Sequence, residues 1–165
     1  MRLRLSYASY LLENRPNAKI AVLFQNDDLG KDYVRGLKRK LGQNAQSMIV
    51  AEEAFDVSEP SIDSHLVKLK ATGAYVLLDI ATPKFAAQAI KRVAEIGWRP
   101  LYILSYVSAS IGSVIKPAGL ENAQGIISAA TLRIRTILNG RTTPDSGSSA
   151  HSLPSISPPP TEATR

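Results

Sequence analysis

The sequence contains no cysteine. Its absence excludes a disulfide, a thiolate metal site and a cysteine nucleophile, and leaves the compartment open. Histidine is nearly absent as well, with only His65 and His151 present. Neither has a partner at ligand spacing, so both read as surface residues and no metal site is expected. No run approaches the ~20 apolar residues of a membrane span. The start lacks the apolar core of a signal peptide. Arg2 and Arg4 supply charge, but Ser6, Tyr7, Ser9 and Tyr10 interrupt the apolar stretch, and Glu13, Asn14 and Arg15 follow at once. As written, the chain is expected to stay in the cytoplasm. There is no Gly-x-Gly-x-x-Gly, no phosphate-binding lysine loop and no serine elbow, and no serine has an evident His–acid pair. Neither a catalytic site nor a cofactor is therefore expected.

What is present fits one domain. The chain has 165 residues, 44% of them hydrophobic and 21% charged, enough for a single core. The net charge is +6, but the basic residues are scattered. The densest run, Lys38-Arg39-Lys40, has no interleaved aromatics to stack on bases. Nucleic acid is therefore not an expected partner. Lys31, Arg35, Lys38 and Arg39 read instead as the solvated face of a helix.

Short apolar runs alternate with amphipathic stretches. Leu3 to Asn14 reads as a helix, ended by Pro16 and Asn17. Lys19 to Phe24 is a buried strand by its length and β-branched content, Gln25 to Gly30 a polar turn, and Lys31 to Leu41 a helix stopped by Gly42. Met48 to Phe55 reads as a second strand, and Ile62 to Lys70 as a helix closed by Gly73. Tyr75 to Leu78 reads as a third strand, followed by a helix from Pro83 to Ile96 that ends at Gly97. Leu101 to Leu104 reads as a fourth strand. Ala109 to Ile115 reads as a short helix stopped by Pro117, and Gln124 to Ser128 as a last short strand. This order predicts a three-layer α-β-α sandwich around a mostly parallel sheet with right-handed crossovers. Such sheets bind ligands at the carboxyl ends of their strands, which draws attention to loops 25–30, 55–60, 79–83 and 105–108. After Ala130 the character changes. Residues 142–165 are rich in Ser, Thr and Pro, with Pro158, Pro159 and Pro160 in a row. They bury too little to offset their ordering entropy. The expected division is a folded unit over residues 1–130 and a disordered tail over 131–165.

Several segments carry a family resemblance. They are Ala18 to Phe24 followed by Gln25-Asn-Asp-Asp-Leu-Gly-Lys-Asp-Tyr33, then Asp56-Val-Ser-Glu-Pro-Ser-Ile-Asp-Ser64 and Leu66 to Ala74, then Ala81 to Ile90 and Ile96-Gly-Trp-Arg-Pro100. In that order and spacing, over about residues 5–130, they resemble the second lobe of the branched-chain amino-acid (Leu/Ile/Val) binding proteins of ABC transporters, which are type 1 periplasmic binding proteins. The resemblance implies a soluble receptor that holds a small amino-acid-like ligand between two lobes and presents it to a membrane permease, and a periplasmic location for the intact family. It implies a first lobe missing before Met1. A ligand-sensing regulator of the same fold is the alternative. The tail departs from the family. Back-translated and read one base earlier, Arg133 to Arg141 gives Lys-Asp-Pro-Asn-Asp-Pro-Gln-Trp-Lys, the kind of sequence the family shows there. That implies a frameshift near residue 131.

The resemblance places ligand contacts at Asp28, Leu29, Ala81, Thr82, Tyr106 and Ser108. Each has a local reading too. Asp27 or Asp28 suits a helix cap, and Thr82 before Pro83 suits another. Leu29 stands where some relatives carry an aromatic contact. Tyr106 stands where some hold a ligand ammonium with an acid, and offers a hydroxyl or a ring face instead. Trp98 reads as a packing anchor.

Overall fold

The computed structural model describes residues 2–128, and the side chains of residues 7–128. The expected tail, His151 included, lies outside the described residues. Helix α1 (Arg2–Asn14) leads into strand β1 (Ile20–Gln25) and helix α2 (Asp28–Leu41). A short 3₁₀ turn and the one-turn helix α3 (Ala45–Met48) precede β2 (Ile49–Phe55). Helix α4 (Asp63–Ala71), β3 (Val76–Ile80), α5 (Pro83–Glu95) and β4 (Leu101–Leu104) follow. A 3₁₀ turn (Tyr106–Ser108), a π turn (Ile111–Ile115) and the short α6 (Lys116–Ala118) lead to β5 (Ile127–Ser128).

The five strands form one sheet in the order β2-β1-β3-β4-β5, and every pairing is parallel. Strand period explains the two covered faces. In β1, Ala21 and Leu23 point to one side. There they meet Leu77, Tyr102 and Leu104 of the sheet, Leu66 and Leu69 of α4, and Phe85, Ala89, Ile90 and Val93 of α5. Ile20 and Val22 point to the other side, where α1 supplies Tyr7 and Leu11 and α2 supplies Tyr33, Val34, Leu37 and Leu41. The result is the expected α-β-α sandwich. Each fully buried Leu, Ile or Phe contributes about 1.5–3 kcal/mol.

The glycine stops fall where expected. Gly42, Gly73 and Gly97 follow α2, α4 and α5 with φ of 58°, 72° and 65°, the left-handed conformation that ends helices cheaply. Trp98 is buried, and its Nε1 donates to the Ala74 carbonyl at 3.1 Å. Tyr7 Oη donates to the Leu104 carbonyl at 3.0 Å and fixes α1 to the sheet.

Two local readings are corrected. Met48 closes α3 instead of opening β2. Its side chain is buried against the α1/α2 side of the sheet, which a helical turn allows as well as a strand. Pro117 does not stop a helix at Ile115. It sits in the first turn of α6, where a missing N–H costs nothing. The stop is Gly119, with φ of 93°.

Candidate functional site

The chain passes from β1 outward to β2, then returns across β1 to β3. The order therefore reverses between β1 and β3, and at that switch point the loops after the two strands diverge and leave a crevice. A shallow, open depression lies there. Gln25, Asp27, Leu29, Gly30 and Tyr33 line it from the β1–α2 side, and Ile80, Ala81 and Thr82 from the β3–α5 side. Ser105 and Val107 follow β4 and complete it.

A chain of side-chain hydrogen bonds ties the first two loops together. Thr82 Oγ1 donates to Gln25 Oε1 at 3.0 Å. Gln25 Nε2 donates to Asp27 Oδ2 at 2.5 Å. Asp27 Oδ1 accepts the Gly30 N–H at 2.7 Å and so caps α2. Gly30 is required by close approach, because a Cβ there would overlap the Gln25 carbonyl oxygen. The loop is also fastened sideways, with Asn26 Nδ2 donating to Asp56 Oδ1 at 3.1 Å. Its backbone N–H bonds the Phe55 carbonyl at 2.8 Å.

The six residues expected at the ligand sort into three positions. Leu29, Ala81 and Thr82 line the depression. Asp28 and Tyr106 stand on the same loops just outside it, both exposed. Ser108 lies beneath, fully buried, with Oγ donating to the Ala81 carbonyl at 2.5 Å. It shapes the β3–α5 loop instead of facing the opening. The capping expectation for Thr82 is corrected. Thr82 does occupy the cap position of α5, but its hydroxyl turns to Gln25, and the first turn of α5 has no side-chain cap. Backbone donors at such a helix start can take an anionic group.

Sequence reasoning missed two buried polar groups here. The Ser105 hydroxyl is buried with no hydrogen-bond partner, while its N–H donates to the Asp79 carbonyl at 2.9 Å. Asp79 is wholly buried among apolar side chains at the end of β3. Tyr102 Oη donates to its Oδ2 at 2.7 Å, and Oδ1 has no hydrogen-bond partner. Burial pushes the Asp79 carboxyl up to about 6, against the smaller pull of the Tyr102 hydroxyl and the nearby Ala81 amide. A carboxylate at the end of an otherwise apolar strand, Tyr75 to Ile80, was the available signal.

His65 requires a further correction, because it is not a surface residue. It is 9% exposed, and its ring lies between Glu53 at 2.6 Å and Glu59 at 2.8 Å. The partners sit on β2 and on the β2–α4 loop, at spacings that no ligand pattern covers.

Large apolar side chains are exposed on the segments that follow the strands: Leu29 after β1, Val57 after β2, and Tyr106, Val107 and Ile111 after β4. Among the described residues, no helix is long and apolar enough to cross a membrane.

Comparison with known proteins agrees with this geometry. A family model described as periplasmic binding protein matches residues 4–139. No curated protein matches the chain. A substrate-binding periplasmic protein from Ralstonia solanacearum is similar at 24% identity and a TM-score of 0.66, over 76% of this chain and 35% of that one. A structure from Rhodospirillum rubrum described as a branched-chain amino acid ABC transporter is similar at 13% identity and 0.66, over 75% and 35%. A fatty acid ABC transporter substrate-binding protein from Thermomonospora curvata is similar at 17% identity and 0.60, over 76% and 33%. These likenesses show the fold, and the chain spans about a third of the length of each structure.

Proposed function

This chain belongs to the periplasmic binding protein family. From that premise we propose that it forms one lobe of the solute-binding component of an ABC transporter, with a branched-chain or related amino acid as the solute. The observation that carries the reading is the open depression at the switch point, lined from three strand ends. It is shallow and open to solvent. Sites that enclose a small ligand are deeper and bury most of its surface. The depression therefore reads as half a cleft, completed by a second lobe that closes on the ligand about a hinge. A membrane permease is the further partner on this reading, and the periplasm the place of work.

The lining supports an amino acid with an apolar side chain. The uncapped start of α5, at Thr82, offers backbone N–H donors for a carboxylate. Asp28 offers a negative charge for an ammonium, and Leu29, Val107 and Tyr106 offer apolar surface. Ala81 lines the depression, and Ser108 holds Ala81 in place. No catalytic role is proposed for any of them.

Titration calorimetry of the 165-residue chain with leucine, isoleucine, valine and phenylalanine tests the half-cleft. The expected result is at most weak heat, with Kd on the order of millimolar or weaker, since half the contacts are absent. Tight saturable binding by this chain alone would overturn it.

A further inference from the structure

We propose that His65, Glu53 and Glu59 form a pH-sensitive clamp that holds the β2–α4 loop, residues 56–62, beside the cleft. A neutral imidazole carries one N–H and can donate to one acceptor only. Here Nδ1 is 2.6 Å from Glu53 Oε2 and Nε2 is 2.8 Å from Glu59 Oε2. Only the imidazolium, with two N–H groups, satisfies both carboxylates at once. The ring is nearly buried, so a carboxylate left facing its lone pair would carry an uncompensated repulsion. The two acceptors lie on opposite sides of the ring, which suits a clamp and not a shared metal.

The clamp joins three elements. His65 belongs to α4, Glu53 to β2 and Glu59 to the loop between them. Glu59 is itself pinned, since its Oε1 accepts the Asp56 N–H at 2.8 Å. Asp56 in turn accepts from Asn26 in the loop after β1. The protonated histidine is thus three hydrogen bonds from the loop that walls the depression. The charged groups facing the ring are Glu53, Glu59 and, behind Glu53 at 3.5 Å, Lys68 of α4. With His65 protonated the four charges cancel, and with His65 neutral one negative charge is left over.

The direction of titration agrees. Burial pushes His65 down, but the hydrogen bonds it donates to Glu53 and Glu59 and their charges reverse it, and the net is above the ordinary 6.5. The Asp56 N–H, then His65, holds Glu59 below the ordinary 4.5. Linkage fixes the window. The histidine contribution is complete below 6.5 and is lost as pH rises through its raised value. The Glu59 contribution is complete above 4.5 and is lost as pH falls through its lowered value. The clamp is therefore fully set between those limits and opens on the alkaline side. Any effect on solute capture rests on the function proposed above. The clamp itself is testable with no solute present.

The test is a ligand-free NMR titration of the whole chain from about pH 5 to about pH 9. It follows the His65 ring nitrogens and the backbone amides of residues 56–62. The expected result is a doubly protonated ring at pH 6, a midpoint above 6.5, and loop amides that shift with the same midpoint. In Glu59→Gln the midpoint falls by roughly one unit, the effect of one lost charged partner. A His65 midpoint at or below 6.5, or loop amides that stay still through the ring's titration, would overturn the clamp. The parent protein alone decides this, so a variant that fails to fold does not leave the question open.

Discussion

The two ends of the sheet are built differently. At the amino ends of the strands, side chains bond to backbone. Trp98 donates to the Ala74 carbonyl, Lys70 to Ile96 and Tyr75 to Asn17, and Gly42, Gly73 and Gly97 turn the chain. At the carboxyl ends, besides the backbone bonds of Tyr7 and Ser108, side chains bond to one another between separate elements. Thr82 bonds Gln25, Asn26 bonds Asp56, and His65 bonds Glu59. Apolar residues stand exposed around them. The first end closes a core, since a bond to backbone fixes a turn regardless of what faces it. The second end presents side chains that another surface or a solute can engage.

This contrast can be broken from either side. The largest effect is expected from Trp98→Ala at the amino end. It should lower stability by about 3–5 kcal/mol in denaturant unfolding, the usual cost of emptying a large aromatic site. The Asp79 carboxyl, at the carboxyl end, comes next. Its raised value means the folded state holds a proton that the unfolded chain has released. The parent should therefore lose stability as pH rises from 3.8 to about 6, by on the order of 3 kcal/mol. Asp79→Asn should not show that loss. The difference in Tm between variant and parent across that range checks it, and a constant difference would remove the assignment.

Gly30→Ala follows, at about 1–3 kcal/mol, because the new Cβ overlaps the Gln25 carbonyl oxygen and the turn must move. Gly42→Ala is its control at the other end. Its Cβ meets open space, and only the backbone conformation with φ of 58° is strained, so about 1 kcal/mol is expected. Equal losses at both sites would erase the distinction between a crowded cleft turn and an open helix stop. Asp27→Ala is the smallest, at about 1 kcal/mol for a lost cap, and it should also free Gln25. The amide signals of residues 25–30 should then move while those near Gly97 stay fixed.

The same contrast explains what was legible in the sequence. Strands β1, β3 and β4 are short apolar runs, and the helix stops are glycines, so local pattern alone located them. The sandwich around a mostly parallel sheet followed from their alternation. The carboxyl ends were legible only as positions. Loops 25–30, 79–83 and 105–108 were marked, and Leu29, Ala81 and Thr82 do line one depression. The partners were not legible. Thr82 reaches Gln25 across 57 residues, and a capping residue in a Thr-Pro start gives no sign of that. His65 has Glu53 and Glu59 twelve and six residues earlier. Those separations have meaning only after β2 and α4 are placed side by side. The resemblance placed Ser108 at the ligand, and nothing local in the sequence shows that the 3₁₀ turn Tyr106–Ser108 sets its hydroxyl under Ala81.

The central claim is that the carboxyl-end depression is where a solute meets this chain. The most direct measurement is a ¹H–¹⁵N map of the full chain on addition of leucine at millimolar concentration. The account predicts small, fast-exchange shifts confined to residues 25–30, 81–82 and 105–107, with the turns at Gly42, Gly73 and Gly97 unmoved. Shifts centred on those turns, or spread evenly over the whole sheet, would contradict it.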